Sequence, residues 1–204
     1  MSYEGKTVIG IIGGIGSGKT KVLELLNNNY DAVIIEADKI GHILQEPNQK
    51  IYKRIIAAFG EDILESTKKI DRKKLGAIVF ADRSKLDILN NIMHPAIHEY
   101  IEQIIAKSEK KLIFIEGAIL AETSLVELVD AMWYVYSDIN TRLERLQTYR
   151  DISFERARKV MGNQPDDKYY REHCIAVIDN SFTEENTLRQ INQEIKKIQE
   201  GHYE

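Results

Sequence analysis

The chain reads Gly13-Gly14-Ile15-Gly16-Ser17-Gly18-Lys19-Thr20 directly after its first apolar run, and this segment is the strongest indication of the fold. It matches the pattern G-x-x-x-x-G-K-[ST] of a phosphate-binding loop, or P-loop, whose glycines let backbone N–H groups approach phosphates. The apolar run at residues 8–12 predicts a strand before the loop, and residues 19–28 predict an amphipathic helix after it. A helix that begins here adds the positive end of its dipole. We therefore predict that residues 13–20 bind the phosphates of a nucleotide.

Two side chains of the P-loop carry specific predictions. Lys19 is expected to reach the β- and γ-phosphates of the nucleotide, and the Thr20 hydroxyl is expected to ligate Mg²⁺. The alternative is a glycine-rich turn that only joins a strand to a helix, and the complete motif in this context argues against it. A P-loop does not by itself separate kinases, ATPases and GTPase switches. Residues 38–41 form a D-x-x-G motif, but the guanine-reading N-K-x-D is absent from the sequence, which disfavours a switch.

Five short apolar runs predict five strands, at residues 8–12, 32–35, 112–115, 131–136 and 174–178. The runs are rich in Val, Ile and aromatic residues and lack strict alternation, which is typical of strands covered on both faces. Helical patterns separate the runs, and this order implies parallel pairing with right-handed crossovers. The pattern predicts a doubly wound α/β sheet.

Two helical segments interrupt the alternation of strand and helix. Residues 39–110 show only helical periodicity and are far longer than one crossover requires, so they predict a helical insertion beside the sheet. Residues 1–38 and 111–204 then form the nucleotide-binding core. A second helical segment, residues 139–171, lies within that core before the fifth run.

The second segment is rich in arginine and is interpreted as a lid. Guanidinium groups stabilise the negative charge that spreads over phosphoryl oxygens during transfer. A mobile segment that carries them would also exclude water. The alternative is a solvated helix face paired with Glu144 and Glu155. The candidate residues are Arg142, Arg145, Arg150, Arg156 and Arg158.

Three carboxylates follow predicted strands and are candidates for the chemistry. Asp38 comes shortly after the second run, at the edge where open α/β sheets bind ligands. It could accept the proton of an attacking hydroxyl, or it could cap a helix that starts near Lys39. Glu36 competes for the same role but lies nearer to the strand interior. Glu116 ends the third run, where it could support the Mg²⁺ shell or be an ordinary strand-end carboxylate.

His94 and His98 have the i, i+4 spacing of a helical metal pair. The glutamate expected after the first histidine of a zinc protease is absent, and Pro95 stands in its place. Proline suits the first position of a helix, so we predict a helix boundary at His94. Zinc chemistry is disfavoured.

Composition narrows the class of protein further. The 204 residues suit one domain with an insertion, and 28 basic against 32 acidic residues give a net charge of −4. This charge argues against a surface that coats nucleic acid or anionic lipid. The single cysteine, Cys174, rules out an intrachain disulfide and suits a reducing compartment. We find no secretory signal and no apolar run of membrane-spanning length, and we expect a cytoplasmic protein.

Several further motifs occur in a fixed order, and together with the P-loop they resemble the dephospho-CoA kinases over nearly the whole chain. The motifs are Glu36-Ala37-Asp38-Lys39-Ile40-Gly41, Leu44-Gln45-Glu46-Pro47, Ile70-Asp71-Arg72-Lys73-Lys74-Leu75, His94-Pro95-Ala96-Ile97, Ile119-Leu120-Ala121-Glu122, Leu143-Glu144-Arg145-Leu146, the single residue Gln164 and Ile178-Asp179-Asn180-Ser181. The sequence departs from the family pattern at Ala118, Ala121 and Glu36. Its lid motif, between Arg145 and Arg150, is one residue longer than is usual in the family.

The resemblance implies a P-loop nucleotide-kinase fold with a five-stranded parallel sheet, helices on both faces, a helical substrate-binding insertion and a helical lid. It also implies ATP-dependent phosphorylation of the ribose 3′-hydroxyl of dephospho-CoA, the last step of coenzyme A synthesis, with Mg²⁺. Asp38 matches the general base of the family. Residues 39–110 match its CoA-binding domain, which places His94 near the acceptor, and Glu122 is also assigned to acceptor binding.

The resemblance further assigns nucleotide-binding residues outside the P-loop. Arg145 and Arg150 match the lid motif, and Arg142 is counted with them. Asn180 falls where the family places part of the nucleotide pocket. We expect a monomer or a weak homo-oligomer that binds neither nucleic acid nor membrane. The remaining alternatives are another P-loop kinase for a nucleoside or nucleotide and, from a different class, a nucleotide-dependent ATPase or switch.

Overall fold

The computed structural model describes residues 3–117 and 120–201. Within these residues the chain forms a sheet of five strands. Two residues named above lie outside the described residues. They are Ala118, which departs from the family pattern, and Ile119, which belongs to one of the matching motifs. The strands are β1 (Thr7–Ile12), β2 (Ala32–Glu36), β3 (Leu112–Glu116), β4 (Ala131–Tyr136) and β5 (Ala176–Asp179).

The strand order is β2-β3-β1-β4-β5, so β1 lies at the centre. β1 pairs in parallel with β3, where Gly10 lies opposite Ile115, and with β4, where Ile11 lies opposite Trp133. β4 pairs in parallel with β5. The predicted α/β class with a five-stranded parallel sheet is confirmed. Because neighbouring parallel strands end at the same edge, the residues that follow β1, β4 and β5 are brought together.

Helices fill the connections between the strands. They are α1 (Lys19–Asn29), α2 (Ala37–Leu44), α3 (Lys50–Phe59), α4 (Arg72–Ala81), α5 (Arg83–Lys107), α6 (Ile139–Arg150), α7 (Phe154–Gly162), α8 (Asp167–His173) and α9 (Glu184–Gln199). Short 3₁₀ turns occupy Glu61–Ile63, Leu120–Glu122 and Ser124–Leu128.

The main hydrophobic core lies between the sheet and the pair α1 and α9. Val22 and Leu26 of α1, Trp133 of β4 and Ile191 of α9 are buried in one cluster. Phe114 and Trp133 contact each other with ring centroids 5.5 Å apart. This packing holds α1 against the sheet and thereby supports the P-loop that leads into it.

The chain folds into two compact units. The first consists of Met1–Ile35 and Ser108–Glu204, and it contains the P-loop and α6 to α9. The second is Glu36–Lys107, in which α5 packs against α2, α3 and α4. The division falls before Glu36, so Asp38 belongs to the second unit.

Two local expectations are wrong. The predicted helix boundary at His94 does not exist, because α5 continues through Pro95 from Arg83 to Lys107. A proline in a helix interior removes one hydrogen bond, and here the packing of α5 against three helices outweighs that loss. The fifth strand begins at Ala176, since Cys174 ends α8 as its C-cap residue. Within residues 3–117 and 120–201, no helix combines the length and apolarity needed to cross a membrane.

Candidate nucleotide-binding site

The P-loop occupies the turn between β1 and α1, and two of its glycines are required by their surroundings. At Gly13, a Cβ atom would lie 2.5 Å from the carbonyl oxygen of Val135. Gly18 has a φ of 86°, in the left-handed region, and a Cβ atom there would overlap the Asn180 side-chain amide. A larger residue at either position would force the loop away from the ends of β4 and β5.

Lys19, the first residue of α1, turns its side chain back over the loop. Its Nζ atom donates to the Gly13 carbonyl at 2.8 Å and lies 3.7 Å from the Glu116 carboxylate. Both side chains are largely buried, at 16% and 14% exposure. The ammonium group is therefore held at the mouth of the loop by fixed partners, which is where a phosphate would meet it.

Arg142 and Gln164 hold the middle of the P-loop at Ile15. Arg142 Nε donates to the Ile15 carbonyl at 2.8 Å, and the Ile15 N–H donates to Gln164 Oε1 at 2.8 Å. Arg142 also donates to the same Gln164 oxygen at 3.4 Å. The Ile15 side chain packs against the cluster that Leu143, Leu146 and Ala157 form between α6 and α7. The predicted lid segment therefore contacts the loop directly.

The carbonyl of Ser17 accepts hydrogen bonds from three side chains. Ser137 Oγ donates at 3.0 Å, Asn180 Nδ2 at 2.9 Å and Arg145 at 3.3 Å. Arg145 also donates to Ser137 Oγ at 3.0 Å and to the Asn180 carbonyl at 2.7 Å. Arg145 thus ties the loop to the residues after β4 and β5.

Other polar groups of the loop are left available. Within the described residues, the backbone N–H groups of Gly14, Gly16 and Gly18 donate no hydrogen bond. The buried Ser17 Oγ atom has no partner there either. Unpaired N–H groups in a glycine-rich loop at a helix N-terminus are the groups that bind phosphate oxygens.

Thr20 and Glu116 suit Mg²⁺ by their chemistry, since both offer hard oxygen ligands. The Thr20 side chain is exposed, and Glu116 lies at the end of β3. In the described part of the chain no cluster of three or more His, Cys, Asp or Glu residues could hold a metal ion. Mg²⁺ at a nucleotide site takes most of its ligands from water and phosphate, so one hydroxyl and one carboxylate are compatible with it.

Asp38 lies in the first turn of α2 with an exposed side chain. The alternative that it caps a helix starting near Lys39 is wrong, because α2 begins at Ala37 and Glu36 occupies the N-cap position. Glu36 itself pairs with Lys39 at 2.6 Å. The Asp38 carboxylate therefore has no capping role in α2.

The remaining predicted residues lie in different elements. His94 is half-buried on α5, in the second unit, and Glu122 is exposed on a 3₁₀ turn in the first. Arg150, Arg156 and Arg158 are exposed, and their guanidinium groups make no hydrogen bond or ion pair with any described residue. The pairing of the lid arginines with Glu144 and Glu155 is not observed.

The second unit contains a polar cleft of about 520 Å³. Its charged lining comes from two stretches of chain, and the Glu46 carboxylate pairs with Lys69 at 3.0 Å. Asp71 caps α4 by accepting the Lys73 and Lys74 N–H groups. Arg72 and Lys73 have no ion-pair partner among the described residues, so their charges remain available. The residues around the cleft are His42, Gln45, Glu46, Glu65, Lys69, Ile70, Asp71, Arg72 and Lys73.

An aromatic cluster supports the segment that carries Gln164. Tyr134 of β4 and Tyr170 of α8 stack with centroids 4.7 Å apart. Burial raises the pKa of both phenols, and the nearby Asp167 carboxylate adds to this effect at Tyr134. Arg171 lies 5.4 Å from the ring centroid of Tyr136 and pairs with Asp167 at 2.6 Å. These contacts fix α8 against β4 next to the loop.

The contacts of Ser137 and Gln164 with the P-loop are not predicted by the sequence. Ser137 is the residue directly after β4, and its small buried side chain has no recognisable motif around it. Gln164 matches the family pattern, but nothing in the sequence around it points to the loop. Both act across more than a hundred residues of chain, and only the sheet order brings them to the loop.

Comparison with known proteins decides the family. The model of the family described as dephospho-CoA kinase matches residues 7–186. This chain belongs to the dephospho-CoA kinase family. Among curated members, the dephospho-CoA kinase of Shouchella clausii is 32% identical over 192 residues, covering 93% of this chain and 97% of that protein. The dephospho-CoA kinase of Geobacter metallireducens is 36% identical over 187 residues, covering 90% and 92%.

Solved structures agree with the family assignment. Dephospho-CoA kinase from Campylobacter jejuni has a TM-score of 0.70 and 27% identity, and the match covers 97% of this chain and 99% of that one. TT1252 from Thermus thermophilus has a TM-score of 0.81 at 22% identity, and the match covers 93% of this chain and 96% of that one. Shikimate kinase from Acinetobacter baumannii has a TM-score of 0.52 at 17% identity, and the match covers 97% of this chain and 94% of that one. The last two show a shared fold alone.

Proposed function

We propose that this protein transfers the γ-phosphoryl group of ATP to the ribose 3′-hydroxyl of dephospho-CoA, giving coenzyme A and ADP. The observation that carries the proposal is the likeness to curated dephospho-CoA kinases over about nine-tenths of the chain. The P-loop supports it, because unpaired N–H groups and a lysine ammonium group at a helix N-terminus are donors of the kind that bind phosphate oxygens.

In the proposed reaction, the Asp38 carboxylate accepts the proton of the 3′-hydroxyl. The freed oxygen forms a bond to the γ-phosphorus, and the bond from that phosphorus to the β–γ bridging oxygen breaks, which releases ADP. Lys19 and the P-loop amides hold the phosphates and offset the charge that develops on the leaving oxygen. Thr20 and Glu116 would hold Mg²⁺, which supplies further positive charge at the β- and γ-phosphates.

The lid arginines divide into two roles in this proposal. Arg142 and Arg145 hold the P-loop backbone, as their hydrogen bonds to Ile15 and Ser17 suggest. Arg150 belongs to the segment expected to move over ATP, and its exposed, unpaired guanidinium is compatible with contact to the phosphoryl group.

The acceptor is proposed to bind through the second unit. Dephospho-CoA carries a diphosphate, and Arg72 and Lys73 offer unpaired positive charge at the cleft. His94 and Glu122 are proposed as further acceptor contacts. We also propose a cytoplasmic enzyme that is a monomer or a weak homo-oligomer. The single cysteine supports a reducing compartment.

A steady-state assay tests the proposal. The protein is incubated with ATP, Mg²⁺ and one acceptor at a time: dephospho-CoA, adenosine or AMP. We expect kcat/KM to be highest for dephospho-CoA, with the product identified by mass spectrometry as coenzyme A. A higher value for adenosine or AMP would favour another nucleotide kinase. Rapid ATP hydrolysis without acceptor, unchanged in Asp38→Asn, would favour an ATPase or switch.

A further inference from the structure

Three carbonyl groups of the P-loop, at alternate residues, accept hydrogen bonds from side chains. Lys19 donates to the Gly13 carbonyl, and Arg142 donates to the Ile15 carbonyl. The Ser17 carbonyl is the most heavily bonded, with donors from Ser137, Arg145 and Asn180. The alternation matters, because it fixes every second peptide group of the loop.

A trans peptide is planar, and its C=O and N–H bonds point in opposite directions. Holding the Ser17 carbonyl toward the ends of β4 and β5 therefore turns the Gly18 N–H to the other side, into the loop. The same relation links the Gly13 carbonyl to the Gly14 N–H and the Ile15 carbonyl to the Gly16 N–H. The three N–H groups so oriented are the ones that donate no hydrogen bond within the described residues.

Asn180 is held in one orientation at this position. A carbonyl oxygen can only accept, so the Asn180 Nδ2 atom must face Ser17. The other end of the amide, Oδ1, accepts the Thr187 hydroxyl at 3.0 Å. Asn180 is 4% exposed and Thr187 is fully buried, so neither side chain is free to turn toward a ligand.

We propose that Ser137, Asn180 and Thr187, together called the Ser17 clamp, orient the Ser17–Gly18 peptide and thereby set the affinity of the P-loop for a nucleotide phosphate without touching the nucleotide. These are positioning residues, and Asn180 does not read the nucleobase. The inference rests on the proposed function only in that the loop binds ATP, and it does not depend on the acceptor.

Calorimetry with two ligands tests the clamp. Inorganic tripolyphosphate has no base or sugar, so it reports on the loop alone, and ATP reports on the complete site. The variants are Asn180→Ala, Ser137→Ala and Thr187→Val, of which the last two nearly conserve volume. Gln190→Ala is the matched control, because Gln190 also bonds the end of β5, at Asp179, but within the described residues makes no hydrogen bond with the loop.

We expect Asn180→Ala to weaken binding of both ATP and tripolyphosphate by about tenfold, the size of one lost hydrogen bond. Ser137→Ala and Thr187→Val should weaken binding of both ligands in parallel by a smaller factor, roughly two- to fivefold. Both variants keep the Asn180 amide, which makes the shortest of the three hydrogen bonds to the Ser17 carbonyl. Gln190→Ala should bind both ligands as the wild type does. The preference for ATP over ITP should not change in any variant.

A role that is only structural would give a different result. It would lower thermal stability in Asn180→Ala and Gln190→Ala alike and leave the Kd of the folded fraction unchanged. A positioning role should also move the Gly18 amide signal in ¹⁵N-glycine spectra of Thr187→Val and reduce its response to tripolyphosphate.

Several outcomes would overturn the inference. Unchanged tripolyphosphate affinity in the folded variants would do so, as would a changed ATP-to-ITP preference, which would place Asn180 at the base. If Asn180→Ala does not fold, Ser137→Ala and Thr187→Val decide the question by the same criteria. A wild-type protein that binds neither ligand would refute both this inference and the proposed phosphorylation of dephospho-CoA. A preference for another acceptor would refute only the proposal that dephospho-CoA is the substrate.

Discussion

Gly18 adopts a φ of 86°, and a Cβ atom there would overlap the amide of Asn180. Replacing Gly18 by Ala therefore adds backbone strain and displaces the side chain that holds the Ser17 carbonyl. We expect Gly18→Ala to weaken ATP binding by at least about tenfold, measured by calorimetry, since the strain costs of order 1–3 kcal/mol.

Gly76→Ala is the matched control for Gly18→Ala. Gly76 lies inside α4, and a Cβ atom there would meet the Phe80 ring at an ordinary 3.7 Å. Because glycine in a helix interior is about 1 kcal/mol less favourable than alanine, this variant should be more stable and bind ATP normally. Equal ATP affinity in Gly18→Ala and the wild type would contradict the account of the loop.

Asp38 is the residue on which the proposed chemistry depends. Asp38→Asn keeps the size of the side chain but removes the proton acceptor, so kcat should fall by at least roughly a hundredfold while ATP affinity stays similar. Rapid-quench or steady-state kinetics with dephospho-CoA measure kcat, and calorimetry measures the affinity for ATP. Since Asp38 does not cap α2, an unchanged kcat would leave the carboxylate without a role.

At the scale of elements, α6 carries the residues that hold the P-loop, and its first turn depends on Asp138. The Asp138 carboxylate accepts the Asn140 and Thr141 N–H groups at 3.0 and 3.1 Å and the Thr141 hydroxyl. These hydrogen bonds, the Thr141 hydroxyl first, hold the pKa of Asp138 below its usual range. A depressed pKa means that the ionised form stabilises the fold.

Asp138→Ala should lower the free energy of unfolding by about 1 kcal/mol at pH 7, which corresponds to a Tm lower by roughly 2–4 °C. The contribution of the carboxylate is complete above its unfolded pKa of about 4 and is lost as the pH falls through the lower folded value. The difference from the wild type should therefore shrink in thermal unfolding at pH 3.

Asp138→Asn serves as the comparison, because asparagine also caps helices but does not ionise. It should unfold close to the wild type at pH 7 and lack the acid-dependent part of the difference. A Tm of Asp138→Ala that equals the wild-type value at pH 7 would show that the cap contributes nothing to α6.

The helices also show which features local sequence preferences predict correctly and which they do not. Asp138, Ser153 and Thr183 cap helices with side chains of the types that sequence statistics favour. Pro95 also favoured a helix start on local grounds, yet it lies in the interior of α5. A local preference of a few kcal/mol is outweighed when a long helix packs against three others along its length.

At the scale of the whole molecule, the two units are proposed to serve different substrates. If the cleft of the second unit binds the acceptor diphosphate, then Arg72→Glu combined with Lys73→Glu should raise the KM for dephospho-CoA by about fivefold or more. That factor corresponds to about 1 kcal/mol for two exposed ion pairs. The KM for ATP should not change, because the P-loop lies in the first unit.

Lys53→Glu combined with Arg54→Glu is the control for this charge reversal. The pair lies exposed on α3, in the same unit, and does not line the cleft. Both double variants change the net charge by the same amount, so general electrostatic attraction of an anionic substrate would affect them equally. Equal KM values for dephospho-CoA in the two variants would remove the cleft from the acceptor site.

The P-loop, the five strands, the two helical segments and the resemblance to the family could all be predicted from the amino-acid sequence. Each of these is encoded by residues close together in the chain: glycines where the backbone must turn, apolar periods of strand and helix, and motifs in a fixed order. Lys19, Thr20 and Asp38 are candidate site residues on the same grounds, and the arginines in the segment after β4 are visible in the sequence.

The residues that hold the P-loop could not be predicted in this way, because they come together only when the chain is folded. Ser17, Ser137 and Asn180 follow β1, β4 and β5, and they meet because those strands are neighbours in the sheet. Strand order depends on the packing of the whole core, so no local pattern could assign Asn180 to the loop or turn Arg145 from a lid residue into a contact of Ser17. Hydrogen bonds across 120 and 163 residues of chain follow from that packing alone.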